Sequence, residues 1–156
     1  MLRARDALMK EAARLDVILR KIAEADPVCR RLMTIPGVGP NTALAFRAAI
    51  DDPTRFQSSR NVAAHFGLTP RRHQSGQSNI LGHISKRGDI ALRTALFDAA
   101  FAMLYASKSK CRLRAWGLSL RDRKGGKRAT VAVARKLAVL MHRMWLTGRD
   151  FDASPG

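Results

Sequence analysis

The sequence predicts an all-α protein, and three observations support this fold class. An N-terminal stretch without glycine or proline has apolar residues at four- and three-residue steps, two short helical stretches flank a turn rich in glycine and proline, and two long amphipathic stretches lie towards the C-terminus. Each pattern is typical of α-helix. Of the 156 residues, 46% are hydrophobic, so the chain can bury a core, and its length suits one compact domain with an appended helix.

The first predicted helix covers residues 2–25 and has the spacing of a coiled coil. Its apolar residues at alternating four- and three-residue steps are Leu8, Ala12, Leu15, Leu19 and Ile22. We therefore expect residues 1–26 to form the C-terminal part of a longer coiled coil and to support a homo-oligomer. The pattern covers fewer than three heptads, and a helix packed only on its own domain would show the same stripe.

A turn rich in glycine and proline separates the next two predicted helices. Asp26 and Pro27 suit the cap and the first position of one helix, and Pro40 suits the first position of the next. Between them, Gly37 and Gly39 are expected to take positive φ and to let a phosphate approach. The N–H groups of this turn and of the following helical turn would then converge on one anion.

This arrangement is typical of a helix-hairpin-helix, a motif that holds a DNA phosphate irrespective of base sequence. Ile35–Gly39 has the sequence Ile-Pro-Gly-Val-Gly, with apolar residues on both sides. The alternative is an ordinary helical hairpin without a ligand. The expected DNA contacts of the motif are Gly37, Val38, Gly39, Asn41 and Thr42.

The charge balance points to a polyanionic partner. The chain has 29 Lys and Arg against 12 Asp and Glu, a formal net charge of +17. Nucleic acid, and DNA in view of the hairpin, is the leading partner. The basic residues are spread through the whole chain rather than along one amphipathic helix, which argues against a membrane surface. Without an apolar run that could span a bilayer or a signal peptide, we expect an intracellular, cytoplasmic protein.

The sequence gives no indication of a metal site in this chain. Cys29 and Cys111 have no His or Cys partner at the spacing of metal ligands, and we expect both to be free thiols. Asp51 and Asp52 precede Pro53, where adjacent carboxylates more often end a helix than bind a metal.

Caps and apolar faces predict the remaining helices, over residues about 59–66, 90–105, 110–123 and 128–147. Ser58 or Ser59 can cap the first of them, and Gly67 can end it. Asp89 can cap the second, which is expected to be a core element. A Gly-Gly turn separates the last two, and Gly148 ends the final helix.

Residues 68–88 have no helical periodicity and predict a long loop that is basic and rich in glycine. In one interpretation the loop contacts DNA and its serines only donate hydrogen bonds to phosphate. In the other, a serine hydroxyl attacks phosphorus while cations neutralise the charge that develops on oxygen. Residue types alone favour the first, because serine is common in loops. No acidic residue has a spacing that would orient His73 or His83 as a base. The side chains concerned are Arg71, Arg72, Ser75, Ser78, Lys86 and Arg87.

Several motifs in order along the chain resemble the C-terminal transposase domain of the insertion-sequence 110 family and its relatives 116 and 902. They are Ile35–Gly39, Phe66–Arg71, Ser75-Gly76, Ile84–Asp89, Leu92-Arg93 and Ala132–Leu137. The resemblance covers about residues 28–147 with independent motifs in register. It implies a coiled-coil arm over residues 1–26 and a transposase domain over residues 27–148, followed by a tail, residues 149–156, that we expect to be disordered.

The resemblance implies a DNA transposase or recombinase, and therefore a bacterial protein associated with the nucleoid. In that family an N-terminal RuvC-like domain supplies an acidic DEDD site for Mg²⁺, a coiled coil follows, and the C-terminal domain supplies a serine that bonds covalently to a DNA phosphate under the guidance of a bridge RNA. Ser75 matches that serine, so the resemblance favours the catalytic interpretation of the loop. The DNA contacts expected here are Arg71, Arg72, Lys86, Arg87 and Arg93.

Two departures from the family pattern bear on this assignment. Gln77-Ser78 follows Gly76 where the family has Ser-Gly-Gly-Lys or similar, which makes Ser78 a second candidate. RuvC-like strands and an acidic tetrad are also absent, so we expect the chain to be part of a longer enzyme and inactive alone. The rival function is a non-catalytic helix-hairpin-helix module that positions DNA for a partner nuclease. RNA binding would explain the net charge but not the helix-hairpin-helix motif, whose geometry suits the phosphates of a duplex.

Overall fold

A computed structural model describes residues 2–75 and 78–153, with side chains described except at residues 2 and 70–83. The all-α class is confirmed, because helices make up most of the described chain. The helices are α1 (Leu2–Ala25), α2 (Pro27–Leu32), α3 (Pro40–Ile50), α4 (Ser59–His65), α5 (Ile90–Phe101), α6 (Arg112–Lys124) and α7 (Gly126–Thr147).

The C-terminal helix α7 lies at the centre of the core, where it packs against α4, α5 and α6, while α3 packs against α5. Leu137 and Met141 of α7 are fully buried. So are Phe46 of α3 and Phe66 after α4, whose ring centroids lie 6.3 Å apart. Apolar residues at helical spacing thus build the core, as the sequence predicted. No helix in the described ranges is long and apolar enough to cross a membrane.

Several predicted helix ends are confirmed. The Asp26 carboxylate accepts hydrogen bonds from the N–H groups of Val28 and Cys29, at 2.7 and 3.0 Å. Pro27 and Pro40 occupy the first turn of α2 and α3, where a helix has no use for their missing N–H. Also as predicted are the Ser58 cap of α4, the Asp89 cap of α5 and the left-handed Gly148 after α7.

Helix α1 is an arm that packs on α2 and α3 through its C-terminal end, where Ala23 is buried. Residues 3–18 are exposed along their whole length. Leu8, Leu15 and Ile22 remain 72%, 51% and 51% exposed. Leu8, Ala12, Leu15 and Ile22 of the apolar stripe therefore do not pack on the domain, whereas Leu19, towards the C-terminal end of α1, is half-buried. The role of the stripe in self-association stays a prediction.

The segment predicted as a long loop contains a β-hairpin, which corrects that expectation. Strands β1 (Pro70–Ser75) and β2 (Ser78–Ile84) pair antiparallel, with an irregularity in register between Pro70 and Arg72. The strand residues are mostly polar or basic, so they lack the alternation of apolar residues that marks a half-buried strand. Antiparallel backbone pairing forms here without that signal.

Helix α5 is shorter than predicted. It is regular to Phe101 and continues as a π-helical turn, Ala102–Ala106. Met103 and Leu104 in that turn are buried like the rest of the apolar face, so the spacing of apolar residues conceals the change in hydrogen bonding. Near the C-terminus, Gly125 with φ +84° forms the break alone, and Gly126 already belongs to α7.

The expectation of a disordered tail from residue 149 is wrong as far as residue 153. The Asp150 carboxylate lies 3.6 Å from the Arg31 guanidinium, and the Phe151 N–H donates to Thr34 Oγ1 at 3.0 Å. Phe151 also packs against the core. This one aromatic side chain anchors a segment whose polar composition predicted disorder. Residues 154–156 lie outside the described residues.

Both cysteines are free thiols, as the sequence predicted, and both are buried. Burial and then the Asp26 carboxylate raise the pKa of the Cys29 thiol from 9.0 to about 11. The thiolate is the reactive form, so we expect native Cys29 to react with iodoacetamide at pH 8 on the order of 100-fold more slowly than in the unfolded chain. Mass spectrometry of a Cys111→Ser variant measures this rate. Equal rates in the folded and unfolded states would contradict the burial of the thiol.

The raised pKa of Cys29 also makes the free energy of unfolding depend on pH. The folded state keeps the thiol proton to about pH 11, whereas the unfolded state loses it near pH 9. The contribution of Cys29 to the free energy of unfolding is therefore present below about pH 9 and lost as pH rises towards 11. We expect Cys29→Ala to reduce the decline of stability over this range, measured by urea unfolding at several pH values.

Candidate nucleic-acid interface

The turn between α2 and α3 forms around two buried apolar residues. Ile35 and Val38 are 1% and 6% exposed, and the Val38 N–H donates to the Ile35 carbonyl at 3.0 Å. Val38 therefore serves the predicted contact only through its backbone. Its side chain holds the turn against the core.

Gly37 has the predicted positive φ, +88°, but it does not leave space for a phosphate to approach. A Cβ at this position would collide with the Ala99 carbonyl and lie 2.7 Å from the Met103 backbone nitrogen. The space beside Gly37 is therefore filled by the end of α5 and the turn after it, not by a ligand. Here glycine lets two segments of the protein's own backbone approach each other.

Gly39 shows the opposite combination. Its φ of −98° and ψ of 179° are extended, so the expectation of a positive φ is wrong. A Cβ at Gly39 would meet nothing within 4 Å. The space that a phosphate needs therefore lies at Gly39 rather than at Gly37.

The N-terminus of α3, the positive end of its helix dipole, has neither a side-chain cap nor an acidic residue in its first turn. Gly39 is the cap residue. The first intrahelical bond runs from the Ala43 N–H to the Gly39 carbonyl at 3.0 Å, so the N–H groups of Asn41 and Thr42 precede the helical ladder. Such N–H groups at the positive end of the helix dipole suit an anion.

The side chains of Asn41 and Thr42 differ in their availability. Asn41 is exposed. Thr42 is 7% exposed, and its hydroxyl donates to the Ala95 carbonyl at 3.3 Å. The Thr42 hydroxyl thus joins α3 to α5 and is not a free phosphate ligand, whereas its N–H remains at the helix end.

Two glycines that the sequence did not mark as site residues allow the base of the β-hairpin to pack closely against the end of α4. A Cβ at Gly67 would meet the backbone of Lys86 and Arg87, and one at Gly88 would meet the His65 carbonyl. Both glycines have positive φ. The sequence signal for them is weak, since each also fits an ordinary helix or loop end.

Arg93 has a structural role that the sequence did not predict. Its Nη1 donates to the carbonyls of Phe66 and Arg87, both at 3.2 Å. The side chains of Lys86 and Arg87 are exposed, and Lys86 takes a φ of +55° while its N–H donates to the Gly67 carbonyl at 3.1 Å. Arg93 thus positions the segment that presents two of the predicted phosphate contacts.

Ser75 is the last residue of β1 and pairs with Ser78, the first residue of β2. Gly76 and Gln77, which belong to the motif, lie outside the described residues. Arg72 is three residues before Ser75 on the same strand, which places their Cα atoms about 10 Å apart. The side chains of both, and of Arg71, are outside the described set.

The structure separates the predicted serine from two of its predicted cations. Lys86 and Arg87 follow the end of β2, whereas Ser75 lies at the opposite end of the hairpin. Strand β2 spans Ser78–Ile84, about 20 Å at the rise of an antiparallel strand. Because Ser75, Lys86 and Arg87 are close in sequence, they were expected to form one cluster. The β-hairpin instead places the serine at one end and the two cations at the other.

Helix α5 connects the two predicted DNA-binding features. The turn at Gly37 meets α5 near Ala99, and the base of the β-hairpin meets the other end, near Asp89. Ten helical residues span about 15 Å. Among the residues that the structure describes, no group of three His, Cys, Asp or Glu side chains could hold a metal ion.

Comparisons with known proteins identify the family of this chain. Residues 29–115 match the model of the family described as Transposase IS116/IS110/IS902. The chain is 42% identical over 124 residues to the transposase for insertion sequence element IS1111A of Coxiella burnetii, a match that covers 79% of this chain and 34% of that protein. It is 37% identical over 147 residues to a probable family 20 transposase of Pseudomonas aeruginosa, covering 92% of this chain and 42% of the relative.

A third relative is named for gene inversion rather than for transposition. The chain is 34% identical over 127 residues to the pilin gene-inverting protein of Moraxella bovis, covering 78% of this chain and 38% of the relative. The chain thus spans about a third of the length of the curated relatives it matches. With more than half of its residues matched by the family model, the chain belongs to the IS116/IS110/IS902 transposase family.

Proposed function

We propose that this chain is the part of a DNA transposase that binds duplex DNA through its phosphates and supplies the serine for strand cleavage. The observation that carries the binding role is the open space at Gly39 before an α3 N-terminus that has neither a side-chain cap nor an acidic residue. The formal net charge of +17 supplies the long-range attraction. Exposed Asn41 at the same helix end adds an amide that can donate to phosphate.

One stretch of duplex can meet both DNA-binding features. The first turn of α3 meets α5 at Ala95, where the Thr42 hydroxyl donates to the carbonyl, and the Lys86–Arg87 segment directly precedes the N-terminal cap of α5 at Asp89. Asp89 and Ala95 are about 9 Å apart along the helix axis. At about 3.4 Å per base pair, this distance corresponds to two or three base pairs. Both contacts are to the backbone, so the binding they give is independent of base sequence.

The cleavage role is assigned to Ser75. In the proposed step, Ser75 Oγ forms a bond to phosphorus while the bond from phosphorus to a deoxyribose oxygen breaks. The hydroxyl proton passes to a base, and the leaving oxygen gains a proton. Arg71 and Arg72, on the same strand, are the candidates for stabilising the charge on the phosphate oxygens. Ser78, paired with Ser75, is the second candidate for the nucleophile.

The chain requires the rest of the enzyme for this step. A serine hydroxyl is protonated at neutral pH and needs a base or a metal-bound group to take its proton. In our proposal this group is Mg²⁺ held by a RuvC-like domain of the longer enzyme, as the family resemblance implies. We assign choice of the DNA target to a bridge RNA bound by that enzyme.

A non-catalytic helix-hairpin-helix module is the second candidate function. The observation that favours it is the separation of Ser75 from Lys86 and Arg87, which lie at the other end of the β-hairpin. Such a module would bind DNA equally well and would leave cleavage to a partner nuclease. Cleavage by full-length enzyme with and without the serine distinguishes the two.

Duplex binding by the chain alone tests the binding role. We expect binding with little sequence preference and with a steep dependence on salt, because each neutralised phosphate lowers log K by about 0.9 per tenfold increase in salt. Six phosphate contacts would weaken binding about 10³-fold between 50 and 200 mM salt. Fluorescence anisotropy with two unrelated duplexes measures both properties. Affinity that does not change with salt would refute the proposal.

Self-association through α1 is a separate proposal. The exposed stripe of Leu8, Leu15 and Ile22 has coiled-coil spacing, and the domain does not cover it. We expect sedimentation to show oligomers that Leu15→Glu converts to monomers. Val17→Glu, which places the same charge at an exposed apolar position off the stripe, is the matched control. A native chain that stays monomeric at high concentration would exclude α1 as an association element.

A further inference from the structure

A cationic groove lies between α4, α6 and α7, next to Thr69 at the base of the β-hairpin and away from the end of the hairpin where Ser75 lies. Its volume is about 930 Å³, and apolar side chains of α6 and α7 form part of its wall. The residues that define it here are Arg60, Arg112, Trp116, Arg135, Lys136 and Arg143.

Among the described side chains, the cations of the groove have no acidic partner. Arg135, Lys136 and Arg143 are exposed, and none of the five takes part in an ion pair with a side chain that the structure describes. Lys136 and Arg143 recur at helical spacing on α7, so their charges project into the same concavity. Like charges held together without counterions favour a polyanionic ligand.

Trp116 distinguishes this groove from a surface built only for a phosphate backbone. The indole is half-buried, and the Lys136 ammonium lies 3.8 Å from the centroid of its ring. Duplex backbone contacts require cations and N–H groups but no aromatic face, because the bases are stacked inside the helix. An unpaired base, in contrast, gains from an aromatic platform within a cationic groove.

We propose that the cationic groove binds an unpaired strand of DNA, with a base against Trp116 and its phosphates against the surrounding Arg and Lys side chains. The volume of about 930 Å³ suits a few nucleotides of one strand. Lys136 is on an exposed, flexible side chain and can move from the ring to a phosphate. The inference rests on the proposed DNA-binding function and adds a second kind of DNA to it, since strand exchange separates paired strands.

Trp116 fluorescence tests occupancy of the groove directly. The chain has two tryptophans, so Trp145→Phe leaves Trp116 as the reporter. We expect oligodeoxythymidylate of about 12 nucleotides to quench its emission with a saturable profile. In the native background, Trp116→Leu should weaken oligothymidylate binding about tenfold, whereas Trp116→Phe, which keeps an aromatic ring, should retain most of it. Duplex binding should be unchanged in both, which also verifies that each variant is folded.

A charge-matched pair of variants separates the groove from net charge. Replacement of Arg135, Lys136 and Arg143 by Gln should weaken oligothymidylate binding at least tenfold and reduce its salt dependence. Replacement of Arg3, Lys10 and Arg20 by Gln removes the same charge from α1 and should have little effect.

Three results would overturn the proposal. They are an unquenched Trp116, equal oligothymidylate binding by native chain and Trp116→Leu, and tenfold tighter binding of oligouridylate, which would assign the groove to RNA. Gly39→Val, which is expected to weaken duplex binding, tests the α2–α3 turn separately from the groove.

Discussion

Replacing Ser75 with alanine in a full-length transposase that contains this chain is expected to abolish strand cleavage and the covalent protein–DNA adduct. Removal of a catalytic nucleophile lowers the rate by about four orders of magnitude or more, because no other group forms the intermediate. Duplex binding should stay close to that of the native enzyme, since the assigned binding groups lie at the α3 N-terminus and at the base of the β-hairpin. Denaturing gels with end-labelled DNA measure both the cleaved strand and the adduct.

Ser78→Ala is the matched control for this experiment. Ser78 pairs with Ser75 at the same end of the hairpin, so its replacement removes an identical hydroxyl from the neighbouring strand. We expect a reduction in rate with the adduct retained. If Ser78→Ala abolishes the adduct while Ser75→Ala keeps it, the nucleophile is Ser78. An adduct that survives both substitutions would exclude the hairpin serines and support the non-catalytic module.

Substitution of the two glycines of the α2–α3 turn by valine is expected to give two different losses. Gly37→Val forces a β-branched residue into positive φ against the Ala99 carbonyl and the Met103 nitrogen. Strain of this kind costs about 3 kcal/mol or more, enough to lower Tm by roughly 10 °C in a chain of this size. Gly39→Val meets open space and keeps an extended backbone, so it should lower stability by only about 1 kcal/mol through the poorer cap.

For duplex binding we expect the opposite order, with a larger loss of affinity for Gly39→Val than for Gly37→Val. Hydrogen bonds to a charged group are worth about 1.5–3 kcal/mol, so obstruction of the phosphate by Gly39→Val should weaken duplex binding about tenfold or more. Gly37→Val that remains folded at low temperature should bind duplex nearly normally. Equal loss of binding in both variants, or normal binding by Gly39→Val, would contradict the placement of the phosphate at Gly39.

The sequence was most informative where local chemistry decides the structure. The Asp26 cap, the first-turn Pro27 and Pro40, and the Asp89 cap follow from the hydrogen-bonding needs of helix ends, and each is confirmed. The positive φ at Gly37 was also predictable. Its reason was not, because the backbone that fills the space comes from residues more than sixty positions later in the chain.

The features that the sequence did not reveal depend on contacts between distant segments. The β-hairpin has no alternating apolar face, so its pairing leaves no trace in hydropathy. The double hydrogen bond of Arg93 to Phe66 and Arg87 turns an expected phosphate contact into a positioning residue. The cationic groove joins Arg60 to Arg143, and no spacing along the chain indicates that these residues meet.

Peptide mapping of the covalent adduct tests the central claim most directly. The full-length transposase would be trapped on cleavable DNA, treated with nuclease and protease, and analysed by mass spectrometry for a peptide that carries a residual nucleotide. We expect a phosphodiester or phosphoester on Ser75, lost when the sample is treated with alkali. A nucleotide attached to a residue outside the β-hairpin, or cleavage without any adduct under trapping conditions, would contradict the assignment of this chain as the source of the nucleophile.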